Sequence, residues 1–271
     1  MVRFHSTNGG MTAATQTIVL DMAGETQGQS HQVSHLSFGP DGKLYVHMGD
    51  GFDATKGQDL ASFRGKILRM NLDGSAASDN PLYNAGDGIT ARDYVFAYGF
   101  RNPFGGAWRA SDGAHYEAEN GPSVDRFVKV VANRNYLYNG SDASMSNFAI
   151  YLWNPSHAPV NMVFIQSQTF NGSGFPAGKL DHLFISESGP TYTTGPQTLG
   201  KRIVEFVLDA SGNRISGPTT LLEYTGVGKA SVVALAAGPD GLYFSDLYKD
   251  LNYTSPIDRG ANIYRLKYVG P

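Results

Sequence analysis

The phrase Gly39-Pro40-Asp41-Gly42-Lys43-Leu44-Tyr45-Val46 returns near the other end of the chain as Gly238-Pro239-Asp240-Gly241-Leu242-Tyr243-Phe244. Proline fixes φ, aspartate offers a side chain that bonds its own backbone, and glycine takes positive φ. The trio therefore makes a tight reversal that feeds an alternating strand. Weaker echoes stand at Leu72-Asp73-Gly74, at 110–116 around Asp112-Gly113, and at 208–215 around Asp209 and Gly212. Each reads as a turn between short strands.

Between the turns, Lys66–Asn71, Arg202–Leu208 and Asn262–Tyr268 alternate or are rich in β-branched residues, a strand pattern and not a helical one. Units of four antiparallel strands, recurring every ~40–50 residues and set radially, are the mark of a β-propeller. Composition agrees: 33 Gly, 13 Pro, 15 Tyr and 15 Phe in 271 residues, with only 17% charged, suits turns and strands over helices. The expected architecture is all-β, a single domain over 1–271 with about five blades.

A net charge of −3 without any Lys/Arg run offers nothing to nucleic acid or to an anionic membrane surface. No apolar stretch reaches the ~20 residues that span a bilayer. The absence of cysteine removes thiolate catalysis, Cys-ligated zinc and disulfides. Met1 to Gln16 lacks the charged-then-apolar order of a signal peptide, so a periplasmic or extracellular location is expected with the signal outside this chain.

Three stretches carry reactive side chains at strand ends, where rigid scaffolds build sites. Ser30-His31-Gln32-Val33-Ser34-His35 supplies imidazoles able to accept a hydroxyl proton near neutrality. Tyr98-Gly99-Phe100-Arg101-Asn102-Pro103 supplies a guanidinium and an amide for an oxyanion or carboxylate. Glu117-Ala118-Glu119-Asn120-Gly121-Pro122-Ser123-Val124-Asp125 packs carboxylates, an amide and a Gly-Pro bend, the oxygen-rich mixture that suits Ca²⁺. Glu187-Ser188-Gly189-Pro190 repeats this last pattern, and Asp50 and Asp246 each follow a Pro-Asp-Gly strand. An axial ring of oxygen ligands is the expectation.

Together with Gly49-Asp50-Gly51, Arg64–Arg69, Asn135-Tyr136 and Ser156-His157-Ala158-Pro159, these phrases resemble, in order, the glucose/sorbosone dehydrogenase family of soluble quinoproteins with six blades. The resemblance implies pyrroloquinoline quinone (PQQ) over the axis and Ca²⁺ held by the carbonyls of Gly121 and Pro122; the repeated acid-x-Gly-Pro pattern itself adds Glu119 and Glu187 as candidate ligands. It implies His31 as base, Arg101 as stabiliser of charge on the quinone oxygen, and Asn102 as its neighbour on the cofactor. Where the family places arginines before its last Gly-Pro-Asp-Gly phrase, this chain has Ser231 and Val233, so Lys201, Arg202 and Lys229 become the candidate cations for the quinone's carboxylates. Met1–His5 looks like the strand ending the family's second blade. An incomplete ring of blades is therefore expected, closed by a second copy or a partner chain.

Three functions follow. One is a quinone-dependent dehydrogenase of a sugar or alcohol. Another is a Ca²⁺-dependent hydrolase such as a propeller lactonase, in which metal-bound water attacks. The third is a non-catalytic carbohydrate- or protein-binding propeller presenting Tyr248, Tyr253 and Tyr268.

Overall fold

The computed structural model describes every residue except 23, 26–29, 192, 194, 196, 227, 230, 250–258, 260 and 271. Among the described residues all regular structure is strand or short 3₁₀ turn. The first two strands, β1 (Val2–His5) and β2 (Thr15–Ile18), form a two-stranded ribbon. Three four-stranded antiparallel sheets follow. The first holds β3 (Val33–Phe38), β4 (Leu44–Met48), β5 (Lys66–Met70) and β6 (Val95–Tyr98); the second holds β7 (Pro103–Trp108), β8 (His115–Glu119), β9 (Asp125–Val130) and β10 (Ala149–Trp153); the third holds β11 (Pro159–Phe164), β12 (Leu183–Glu187), β13 (Arg202–Leu208) and β14 (Arg214–Glu223). A three-stranded sheet of β15 (Val232–Gly238), β16 (Gly241–Asp246) and β17 (Ile263–Leu266) completes the order. The first strands of successive sheets, β3, β7, β11 and β15, pack side by side, so the sheets are the blades of a β-propeller.

The Pro-Asp-Gly phrase acts as its residue types dictate, with Gly42 at φ +73° and the Asp41 carboxylate accepting from the amide of Lys43 at 3.1 Å. Its aspartate also does something the turn alone does not require. Tyr45 donates to Asp41 at 3.0 Å, and Arg69, directly across the ladder from Tyr45, donates at 2.8 Å. The second blade repeats the set with Asp112, Tyr116 and Lys129, and the last with Asp240, Tyr243 and Arg265. Each turn is thereby latched to the second and third strands of its blade by charge-assisted hydrogen bonds.

Hydrophobic cores lie between blades. Tyr45, Ile67 and Ala97 meet Val128 and Val130 between the first two four-stranded blades; Tyr116, Phe127 and Trp153 meet Phe164, Ile185 and Phe206 between the next two; Phe184 and Ile203 meet Leu235 and Phe244 at the last junction. Leu20 and its neighbours, just past the ribbon, cover Val46, Leu68 and Met70. Leu36, Phe38 and Ile263 stay exposed on the outward faces at the two ends of the series.

The first of these junctions also buries a polar layer. His47 and His115 share an Nε2–Nε2 hydrogen bond of 2.7 Å, and the His35 ring stands edge-on to His47. Burial lowers the pKa of His35 to about 4 and of His115 to about 3, with His47 also pushed well below the usual histidine range. Glu117 on the same strand as His115 has neither carboxylate oxygen hydrogen-bonded among the described residues, and burial, with Glu119 beside it, raises its pKa well above normal. The histidines bind fewer protons folded than unfolded, so their stabilisation is present above pH 6.5 and is lost as pH falls toward 3. Glu117, and Asp125 raised by burial to about 6, act oppositely above about pH 4. Three histidines stand against two carboxylates, so acidification from pH 6.5 to 4 is expected to lower stability in urea unfolding, with a shallower slope in His35→Gln; a flat profile over that range would count against the assignment.

Candidate functional site

His31 sits just before β3 with φ +55°, a left-handed conformation uncommon for a side chain of its size. The backbone carbonyl of His31 receives the amide of Gly51 at 3.2 Å. A Cβ on Gly49 would stand 2.5 Å from that same carbonyl, which is why the Gly49-Asp50-Gly51 phrase must begin with glycine. The turn delivers Asp50 to the imidazole, with His31 Nδ1 2.7 Å from Asp50 Oδ1. Asp50 is buried and also accepts from the amide of Phe52 at 3.0 Å, whose ring lies 3.9 Å from the imidazole. The sequence pattern reads Asp50 as an axial oxygen ligand; the structure makes it the partner that orients His31.

Arg101 follows β6. Its amide donates to Glu119 and its carbonyl accepts from the amide of Asp50, while Nη1 donates to the carbonyls of Asn120 and Gly121, both at 2.9 Å. The Gly-Pro bend is pinned from beneath by Asp125, which is fully buried. One carboxylate oxygen accepts from the Gly121 amide at 3.1 Å; the other accepts from the Ser156 hydroxyl and from the amides of His157 and Ala158 at 2.7–2.9 Å. A Cβ on Gly121 would collide with the carbonyl of Val124. Asp125 closes the acid-rich stretch that the sequence offers for Ca²⁺; the structure shows its carboxylate committed to pinning the bend.

These segments surround one cavity of about 650 Å³, lined by His31, Phe52, Arg101, Asn102, Gly121 and Pro122. Ala158, Val160, Gly189, Thr191, Val233 and Leu247 also line it, together with Ser156 and Ser188. Five residues expected at the site from sequence thus share one chamber: His31, Arg101, Asn102, Gly121 and Pro122. Asn102 is nearly buried and its side-chain oxygen has no partner among the described residues.

The other expected residues lie elsewhere. Glu119 is fully buried in an ion pair with Arg126 at 2.5 Å. Glu187 accepts from Trp153 at 2.7 Å and Arg202 at 2.7 Å, and lies 2.8 Å from His157; neither carboxylate lines the chamber. Arg202 is thereby committed to Glu187. Lys201 donates to the carbonyls of Gly226 and Gly228 and, with Asp246, lines a separate cavity of about 420 Å³. Lys229 donates to the carbonyl of Thr191 at 2.7 Å and stands over the Tyr248 ring. Tyr248 is buried and not a surface aromatic; Tyr268 is exposed, and Tyr253 is outside the described residues. Among the described residues no group of three or more His, Asp or Glu side chains could hold a metal.

Asp50 holds Nδ1 of His31, which leaves Nε2 as the basic nitrogen of an imidazole on the cavity wall. Arg101 and the carbonyl bend bring positive charge and oxygen donors to the same chamber. The arrangement can take a proton from a bound hydroxyl and steady the negative charge that develops.

Comparison with known proteins follows the same lines. The chain is 29% identical over 159 residues to quinoprotein glucose dehydrogenase B of Acinetobacter calcoaceticus, covering 52% of this chain and 31% of that protein. It is 31% identical over 93 residues to aldose sugar dehydrogenase YliI of Escherichia coli, covering 34% and 24%. Among solved structures, the PQQ-bound form of aldose sugar dehydrogenase from Streptomyces coelicolor superposes with a TM-score of 0.62 at 23% identity, over 86% of this chain and 59% of that one. The chain spans less than two thirds of the length of each. The family model for glucose/sorbosone dehydrogenase matches residues 1–182, and the chain belongs to that family.

Proposed function

We propose that the chamber oxidises a hydroxyl of a sugar or alcohol. The observation that carries this reading is the His31–Asp50 pair on the wall of the cavity shared by Arg101 and the Gly121 carbonyl. Nε2 of His31 takes the hydroxyl proton; a quinone-class acceptor, if bound here, would supply the two-electron oxidant for the adjacent C–H bond, so that a carbonyl compound and the quinol would be the products. Asp50 fixes the imidazole tautomer and stabilises its protonated form. Arg101 faces the negative charge that develops on oxygen.

Calcium would draw on the Gly121 carbonyl, which already accepts from Arg101, and on Pro122, which lines the same wall. Bound at the Gly121 and Pro122 carbonyls, it supplies Lewis acidity to the acceptor's oxygen. Pyrroloquinoline quinone fits less well: Phe52 and Phe104 offer flat apolar surface, but the cations expected at its carboxylates, Lys201, Arg202 and Lys229, are bonded elsewhere. We place the protein in the periplasm or outside the cell; among the described residues no helix is long and apolar enough to cross a membrane.

The test is an assay of the purified chain with Ca²⁺, a panel of aldoses and simple alcohols, a quinone and an artificial electron acceptor. Acceptor-dependent oxidation is expected. Hydrolysis of lactones with no acceptor present would instead assign the base pair to the hydrolase reading, and inactivity on both panels would support a binding propeller.

A further inference from the structure

We propose that this chamber takes its quinone in an uncharged form and discriminates against the tricarboxylate pyrroloquinoline quinone. The inference deepens the dehydrogenase reading and rests on it. Arg101 is the one permanently charged side chain among the described residues of the lining. It belongs to the side of the chamber that also holds His31 and the carbonyl bend.

The rest of the lining, from segments 156–160 and 188–191 with Val233 and Leu247, presents alkyl groups, backbone and the hydroxyls of Ser156, Ser188 and Thr191, and among the described residues no cation. A planar acceptor whose oxygens lie against Arg101 points its far rim at this wall. Carboxylates on that rim would give up water and gain no cation. Each charge-assisted pair that a carboxylate lacks corresponds to about 10- to 100-fold in affinity.

The nearby cations are not in reserve. Lys229 is almost fully buried, bonded to the carbonyl of Thr191 behind the wall and stacked over Tyr248 at 5.3 Å. Lys201 is held by two carbonyls and by the Tyr224 ring at 5.1 Å, on the lining of the other cavity. Arg202 is ion-paired to the buried Glu187. Turning any of them into the chamber would strip partners from buried carbonyls or a buried carboxylate. At the entry to β15, Ser231 is fully buried with its hydroxyl unpartnered among the described residues, and Val233, two residues on, reaches the lining. An arginine at Val233 would place a guanidinium on this cation-free part of the lining.

The experiment is calorimetric titration of the 271-residue chain in Ca²⁺, with pyrroloquinoline quinone and with 9,10-phenanthrenequinone, a planar neutral ortho-quinone, at low and high salt. The wild type is expected to bind phenanthrenequinone at least as tightly as pyrroloquinoline quinone. Val233→Arg is expected to raise affinity for pyrroloquinoline quinone about 10- to 100-fold and to leave phenanthrenequinone within about threefold, a gain that shrinks with salt. Leu247→Lys, on the same wall, gives a second route to the same gain should Val233→Arg fold poorly. Wild-type preference for pyrroloquinoline quinone by about tenfold or more would overturn the inference and leave the dehydrogenase reading standing. Binding of neither quinone would overturn both.

Discussion

His31→Ala is expected to lower turnover of any substrate the protein oxidises by about 10²–10⁴, the range that follows loss of a positioned general base, or roughly 3–5.5 kcal/mol of barrier. The magnitude follows from geometry. His31 is the imidazole on the cavity lining, and its Nδ1 is held at 2.7 Å by a buried carboxylate, so the ring is already oriented before substrate arrives. Asp50→Asn should fall in the same direction by a smaller factor, because an amide can hold the ring but stabilises the imidazolium less. The measurement is kcat and KM for wild type and both variants, with circular dichroism to confirm that each is folded.

His35 supplies the contrast. Strand spacing assigns both histidines the same parity, yet His31 lies before β3 in a left-handed conformation and His35 packs against His47 between blades. His35→Ala should therefore change stability and its pH dependence, and leave turnover within a few-fold. Equal turnover in wild type and His31→Ala would remove the base from the mechanism and shift weight to a binding role.

Most of the fold was legible because turn chemistry is local. Proline, aspartate and glycine in that order determine a reversal whatever lies around them, and the strand at Arg202–Leu208 was readable to its ends from its own alternation. The tyrosine–cation latches were not, since Tyr45 and Arg69 become neighbours only when β4 and β5 pair in register. The site divides in the same way. Gly49 and Gly121 are spelled out by backbone need, and their phrases led to His31 and the carbonyl bend. Glu119 and Glu187 carry the residue type of a metal ligand, but the arginines opposite them on the neighbouring strand, Arg126 and Arg202, claim them. A carboxylate's role depends on which cation folding brings to it, and that information is tertiary.

The ion pair that claims Glu119 also sets the second large effect. Arg126 is fully buried, donates to Glu119 at 2.5 Å and to the carbonyls of Tyr136 and Asn147 at 2.8 and 3.1 Å, and lies over the rings of Phe100 and Tyr136. Arg126→Met keeps much of the volume and removes every one of those donors. Glu119 is then an unpaired charge in a dry interior, and the expected cost is about 3–5 kcal/mol of unfolding free energy by urea titration. Replacing both partners, Glu119→Gln with Arg126→Met, should recover part of that loss, because no uncompensated charge remains. Glu119 also receives the amide of Arg101, whose guanidinium holds the Asn120 and Gly121 carbonyls. The double variant should thus regain stability while its turnover stays depressed, since the neutral amide oxygen introduced by Glu119→Gln holds the Arg101 backbone less firmly than the carboxylate did. A loss below about 1 kcal/mol in Arg126→Met would mean that water or a shifted side chain compensates Glu119, and would count against the buried pair as the anchor of this segment.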